Sequence, residues 1–176
     1  MKKNLVTILF LLMILTSACD HGLAPPEDNT PKKPTGISGT LYFKNWPPAD
    51  SLFNIKLVAF RDYPPGDLMN EVISGNARTL PTDLTASLPF NIDSLEYELI
   101  LQPVIFSYIA VAHQWGENIF EDWQAVGQYD LTPQDSLPTA VTIIADSIIS
   151  GIDIYVDFDN LPYQPFVVSG NIGEKE

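Results

Sequence analysis

The stretch Gly151-Ile-Asp-Ile-Tyr-Val-Asp-Phe158 decides how this chain is read. Ile152, Ile154, Val156 and Phe158 fall at every second position, with Asp153, Tyr155, Asp157 and then Asp159 between and after them. A period of two belongs to a β-strand with one face on a core. Sliding this strand by one residue would turn its aspartates inward, so its register is firmly specified.

Working outward, Ser94–Leu101 alternates in the same way, with Leu95, Tyr97, Leu99 and Leu101 opposite Glu96 and Glu98. Ile105–His113 is apolar on both sides as far as Ala112, which predicts a central strand covered on both faces. Further strands are predicted over Ile37–Lys44, Phe53–Arg61, Asn76–Leu80, Gln124–Leu131 and Ala140–Ala145, separated by Pro, Gly, Asn and Asp. The best helical window follows Asp67, a candidate N-cap, where Leu68 and Val72, and Met69 and Ile73, are spaced i,i+4. It allows one or two turns before Gly75. The inventory predicts an all-β fold: an antiparallel Greek-key β-sandwich of seven to eight strands over residues 36–168.

Composition agrees. The chain has 176 residues, 45% of them hydrophobic, and 9 Lys+Arg against 22 Asp+Glu for a net charge of −13. A chain of this length can bury roughly 70% of its extended surface in one domain. The acidic excess, with no basic patch, argues against a nucleic-acid partner. A single cysteine excludes an internal disulfide, a Cys-rich zinc site and an iron–sulfur cluster.

That cysteine closes the opening segment MKKNLVTILFLLMILTSAC, residues 1–19. Lys2 and Lys3 precede an apolar run, Leu5–Leu15, too short for the ~20 residues of a membrane-spanning helix. Thr16, Ser17 and Ala18 then lead to Cys19. The segment resembles the signal peptide of a bacterial lipoprotein. The resemblance implies a diacylglycerol on the Cys19 thiol, cleavage after residue 18 and a lipid-anchored place in the cell envelope. Thr16 stands where the lipobox usually has Leu, and Leu15 is one place earlier. An ordinary cleavable signal after Ala18, or an uncleaved anchor, are the alternatives. Asp20 resembles the inner-membrane retention signal of enteric bacteria, a rule that not all lineages share, so the outer membrane and the periplasmic face of a membrane both stay open as destinations and the leaflet is unassigned. Loss of Lys2 and Lys3 with the signal would take the charge from −13 to −15. Residues 19–35 then form a lipidated Cys and a Pro-rich tether, its sixteen residues Asp20–Thr35 reaching about 50 Å when extended. His21 lies in it without a role, and residues 169–176 form a polar, frayed tail.

Within the domain, Ile37-Ser-Gly-Thr-Leu41, the strand Ile55–Phe60 and the segment Tyr97-Glu-Leu-Ile-Leu-Gln-Pro-Val-Ile-Phe-Ser-Tyr108 resemble the carboxypeptidase regulatory-like domains. The likeness covers about residues 36–113. It implies a transthyretin-like (prealbumin-like) β-sandwich in which Tyr97–Tyr108 is a hairpin. Such domains are mostly non-catalytic spacers, carbohydrate-binding modules or protein-contact modules. Val104 stands at the family's Gly position and resists φ > 0, so a type I turn or wider loop is expected there.

Residue chemistry points the same way. His113 is the only histidine of the domain and is expected at a strand rim with one hydrogen bond; no serine lies in a Gly-x-Ser-x-Gly elbow. No phosphate-binding glycine loop or dinucleotide fingerprint is present, and no cofactor is assigned. Glu96, Glu98, Asp153 and Asp157 fall on polar strand faces, where solvation accounts for them; a carboxylate pair among them is the hydrolase reading. Asp157, Asp159 and Asn160 offer calcium-like oxygens but lack the Gly and distant Glu of an EF-hand loop, so no metal is assigned. The loop aromatics Trp46, Tyr63, Trp115 and Trp123 are the candidate ligand or partner contacts, set against a role in capping the core. The leading expectation is a lipid-anchored, non-enzymatic envelope module that contacts a protein partner. A glycan-binding module is the alternative and a hydrolase the second alternative.

Overall fold

The structure, a computed structural model, describes residues 33–135 and 137–166. The signal segment, Cys19, His21, the tether up to residue 32 and the tail lie outside the described residues. The rest is mostly β, with one short helix. The elements are β1 (Gly36–Lys44), β2 (Asn54–Phe60), α1 (Leu68–Ser74), β3 (Ala77–Leu80), β4 (Ser94–Ile100), β5 (Ile105–Phe106), β6 (Tyr108–Gln114), β7 (Trp123–Gln128), β8 (Val141–Thr142), β9 (Ile148–Ile149) and β10 (Ile154–Asp157). No helix among the described residues is long and apolar enough to cross a membrane.

Two four-stranded sheets carry the fold. One has the order β10-β1-β4, with β9 also paired to β1; the other has the order β3-β2-β6-β7, and β5 and β8 form a small separate ribbon. Pairing is antiparallel except along one side of β1, where β9 and β10 run parallel to it. Ile37 and Leu41 of β1, Tyr97 and Leu99 of β4 and Ile154 and Val156 of β10 share one core cluster with Ile55, Leu57, Ile109 and Val111 of β2 and β6. The alternation of residues 151–158 is realised as read: Ile152, Ile154 and Val156 are buried, and Tyr155 is 72% exposed.

Two expectations are corrected. Ile105–His113 is not one strand: Ile105–Phe106 pairs with β8, and a new strand starts at Tyr108 and pairs with β2 and β7. The hairpin over Tyr97–Tyr108 does not form either, because β4 pairs with β1 in one sheet while β6 lies in the other. The physical reason lies in the faces. Glu96 and Glu98 require water on one side of β4, whereas β6 is buried along its whole length. Neighbours in sequence with such different environments belong to different sheets.

The outer face of the second sheet is covered. Val58, Phe60, Tyr108, Ala110 and Ala112 pack beneath Leu68 and Met69 of α1 and beneath Phe166. Helix α1 starts where expected, the Asp67 carboxylate accepting the Asn70 N–H at 2.9 Å, and ends at Gly75 with φ 82°. On this covered face the side chain of Lys56 is fully buried. Its ammonium donates to the carbonyls of Asp83 (2.8 Å) and Ala86 (2.7 Å), with Pro81 at 3.5 Å, and so pins the loop after β3. The polar sequence of that loop, Pro81-Thr-Asp-Leu-Thr-Ala86, gave no sign of this anchor.

At one side the sheets converge, and Gly127 of β7 is required by the contact: a Cβ there would lie 2.8 Å from the Tyr155 carbonyl oxygen of β10. The Gln164 side chain seals the free backbone of β7, accepting from the Ala125 N–H and donating to the Ala125 carbonyl, each at 2.9 Å.

Candidate functional site

With the β3-β2-β6-β7 sheet covered on both sides, the outer face of β10-β1-β4 is, among the described residues, the sheet face left to solvent. Its residues are set by register. Tyr42 of β1 stands beside Tyr155 of β10, and Thr40 stands opposite Glu96 of β4. The two tyrosine rings stack with centroids 4.9 Å apart and planes 12° from parallel. Tyr42 is 39% exposed and Tyr155 72%, so the ring face of Tyr155 turned away from Tyr42 is open at the sheet edge.

A shallow recess of ≈ 330 Å³ lies on the same face, lined by Ser38, Thr40, Glu96, Ser150, Gly151 and Asp153 among others. Its floor depends on Gly39, where an ideal Cβ would fall 2.2 Å from the Ile152 carbonyl oxygen. The same carbonyl accepts a 2.6 Å hydrogen bond from the Tyr97 hydroxyl, reaching through from the core side. Burial, reinforced by the Asp153 carboxylate, pushes the Tyr97 phenol well above its ordinary value, so it stays a donor. Asp153 accepts the Thr40 N–H at 2.8 Å. The far end of the face is closed by Lys44, which pairs with Asp157 at 3.0 Å.

Asp157 is engaged by donors on several sides. Asn160 and Asn45 donate at 2.7 and 2.8 Å, and the Asp159 N–H at 3.2 Å. These contacts, Asn160 first, then Asn45 and Lys44, hold its carboxyl well below the usual carboxylate range. It organises the turn after β10. Among the described residues no group of three or more His, Cys, Asp or Glu side chains is placed to hold a metal ion.

The four aromatics singled out in sequence do not converge. The Trp46 indole donates to the Ile92 carbonyl at 2.9 Å and packs against Phe43 and Phe158 at the end of the core between the sheets. Trp123 is buried on the covered face and donates to the Ile119 carbonyl at 2.6 Å. Tyr63 is half-buried there, 5.3 Å from the Tyr108 ring. Trp115 is 48% exposed beyond the end of β6. Capping therefore accounts for Trp46 and Trp123, and Trp115 stands apart from Tyr42 and Tyr155. The signal for the tyrosine pair was present in the alternation of β1 and β10; their adjacency was not.

His113 departs from the rim expectation. It is 2% exposed and bonded through both ring nitrogens, Nε2 to the Ser51 carbonyl at 2.7 Å and Nδ1 to the Gln124 amide at 3.2 Å. The neutral ring with its proton on Nε2 satisfies both. Desolvation lowers its pKa below the ordinary 6.5, with the Ser51 carbonyl opposing. The unfolded chain therefore takes up this proton first as the pH falls, and stability is lost from about 6.5 downward to the depressed folded value. The urea midpoint is expected to fall between pH 7.5 and 5 more steeply in the wild type than in His113→Gln. Equal slopes would remove His113 from the account.

Comparison with protein-family models, curated proteins and solved structures gives no match.

Proposed function

We propose that this protein is a lipid-anchored, non-enzymatic lipoprotein of a bacterial cell envelope, and that its domain is a binding module working through the open face of the β10-β1-β4 sheet. The observation that carries this reading is the asymmetry of the two sheets: one is covered on both faces, while the other presents stacked tyrosines and a polar recess to solvent. An uncovered aromatic pair beside polar groups is the composition of a recognition surface. The anchor rests on the sequence of residues 1–19, with Cys19 as the site of lipid attachment. The domain is read as a Greek-key, prealbumin-like β-sandwich of about eight principal strands. Two four-stranded sheets sharing one core, and the crossings from β1 to β2, β3 to β4 and β7 to β10, support that reading. The non-enzymatic assignment is supported by the engagement of Asp153 and Asp157 in structural hydrogen bonds and by the buried, fully bonded His113.

Labelling cells with a radioactive fatty acid is expected to mark the wild type and leave Cys19→Ala unmarked. Cross-linking in native membranes is expected to capture an envelope component with the wild type and lose it with the Tyr42→Ala/Tyr155→Ala double variant, thermal melting serving as the check that the double variant is folded. Capture unaffected by the double variant would move the binding surface elsewhere on the domain.

A further inference from the structure

We infer that the open sheet face binds an uncharged oligosaccharide, one sugar ring stacking on the free face of Tyr155 and a later ring of the same chain entering the Ser38–Thr40–Ser150 recess. This deepens the binding-module reading and rests on it.

Three observations select this ligand. The recess, at ≈ 330 Å³, is near the lower end of the roughly 300–1,000 Å³ of small-molecule sites and suits a short saccharide. Its lining combines hydroxyl groups of Ser38, Thr40 and Ser150 with the carboxylates of Glu96 and Asp153. Hydroxyls both donate and accept, and carboxylates accept; a polyol, which presents a donor and an acceptor at every carbon, meets both. On the same sheet face, outside the recess lining, the Tyr155 ring offers a rigid apolar surface, held upright by its stack on Tyr42, for the C–H face of a pyranose.

Charge narrows the class further. No cationic side chain lines the recess among the described residues, and Lys44 is paired with Asp157. A uronic acid or sulfated sugar would meet two carboxylates and no counter-charge. A basic peptide would need carboxylates converging on its cation. Here Thr40 lies opposite Glu96 on β4, and Asp153, just before β10, already accepts the Thr40 backbone N–H. The hydroxyl-rich lining thus favours the neutral glycan over the peptide.

The test is calorimetric titration of the full chain, solubilised in a detergent without a sugar head group. The probes are neutral hexasaccharides of glucose, xylose, mannose, galactose and N-acetylglucosamine, with oligogalacturonate and hexa-arginine alongside. At least one neutral hexasaccharide is expected to bind, with affinity lowered tenfold or more in Tyr155→Ala and in Thr40→Val, largely restored in Tyr155→Phe, and little changed by salt. Oligogalacturonate is expected not to bind. The inference is overturned if no neutral hexasaccharide binds, if Tyr155→Ala binds as the wild type does, or if only hexa-arginine binds with a steep salt dependence. Should the sugars fail while the tyrosine double variant still abolishes cross-linking in membranes, the binding-module reading stands and the ligand class alone falls. Unchanged thermal melting of Tyr155→Ala and Thr40→Val separates loss of binding from loss of fold.

Discussion

Lys56→Met is expected to lower stability by about 1–3 kcal/mol, the scale for losing charge-assisted hydrogen bonds to partly buried carbonyls. The methionine matches the lysine stem in volume and apolar packing, so the loss isolates the ammonium. Lys56 lies on a strand whose every residue is buried, and its charge is compensated by the carbonyls of the 81–86 segment. Without the ammonium those carbonyls lose the contact that holds the 81–86 segment down, and the loop is free to lift from the sheet. Urea unfolding would show the loss as a lower midpoint at constant slope. Proteolysis confined to the loop would accompany it. The pH dependence has its own signature. Burial lowers the Lys56 pKa below 10.5, with Asp83 opposing. The unfolded state therefore holds the proton more tightly, and wild-type stability gains from this group as the pH rises from the folded value towards 10.5. Lys56→Met should lack that gain. A variant as stable as the wild type would mean that the loop hydrogen bonds contribute nothing net.

Gly39→Ala is expected to cost about 2–3 kcal/mol, the usual scale for forcing atoms into a packed site together with a weakened buried hydrogen bond. The added methyl would fall 2.2 Å from the Ile152 oxygen, which is backbone and cannot swing aside. Either β1 or the segment entering β10 must move, and the Tyr97 hydroxyl bond to that oxygen moves with it. The recess lies over the same contact, so thermal denaturation and ligand titration should fall together. Gly151→Ala makes a useful contrast. Its Cβ meets nothing within 4 Å, but its φ of 80° resists a side chain, so that loss is one of backbone strain. Gly39→Ala melting with the wild type would show that β10 has room to retreat.

Most strands could be read from alternation because period two reports burial directly. β2, β3, β4, β8 and β10 lie within the predicted spans, as does the one capped helix, and β1 exceeds its span by Gly36 alone. Pairing was harder. Nothing local in Tyr42 or Tyr155 says that strands more than a hundred residues apart lie side by side in parallel, and the candidate site exists only through that register. The loop tryptophans misled for the opposite reason. A large ring beside a proline or glycine fits an exposed contact or a core cap equally well, and only the position of an acceptor such as the Ile92 or Ile119 carbonyl decides. His113 was misplaced because its strand end abuts the 3-10 turn Ala49–Ser51, whose carbonyl receives the ring. Lys56 was hidden inside an apolar run. A long cation in a doubly covered strand can be reconciled only by a loop that turns its carbonyls inward, and loop conformation is not periodic.

The parallel pairing of β1 with β10 carries a mechanical consequence. If the chain is held at its amino-terminal end, the pull enters at the start of β1, while a ligand gripped at Tyr155 loads β10. The two strands then slide lengthwise past one another. The ladder from Leu41–Ile154 to Lys44–Asp157 is strained in shear, all its hydrogen bonds at once, and cannot be unzipped one bond at a time. Traction between such an attachment and a held ligand would thus be borne along the direction in which the sheet resists best.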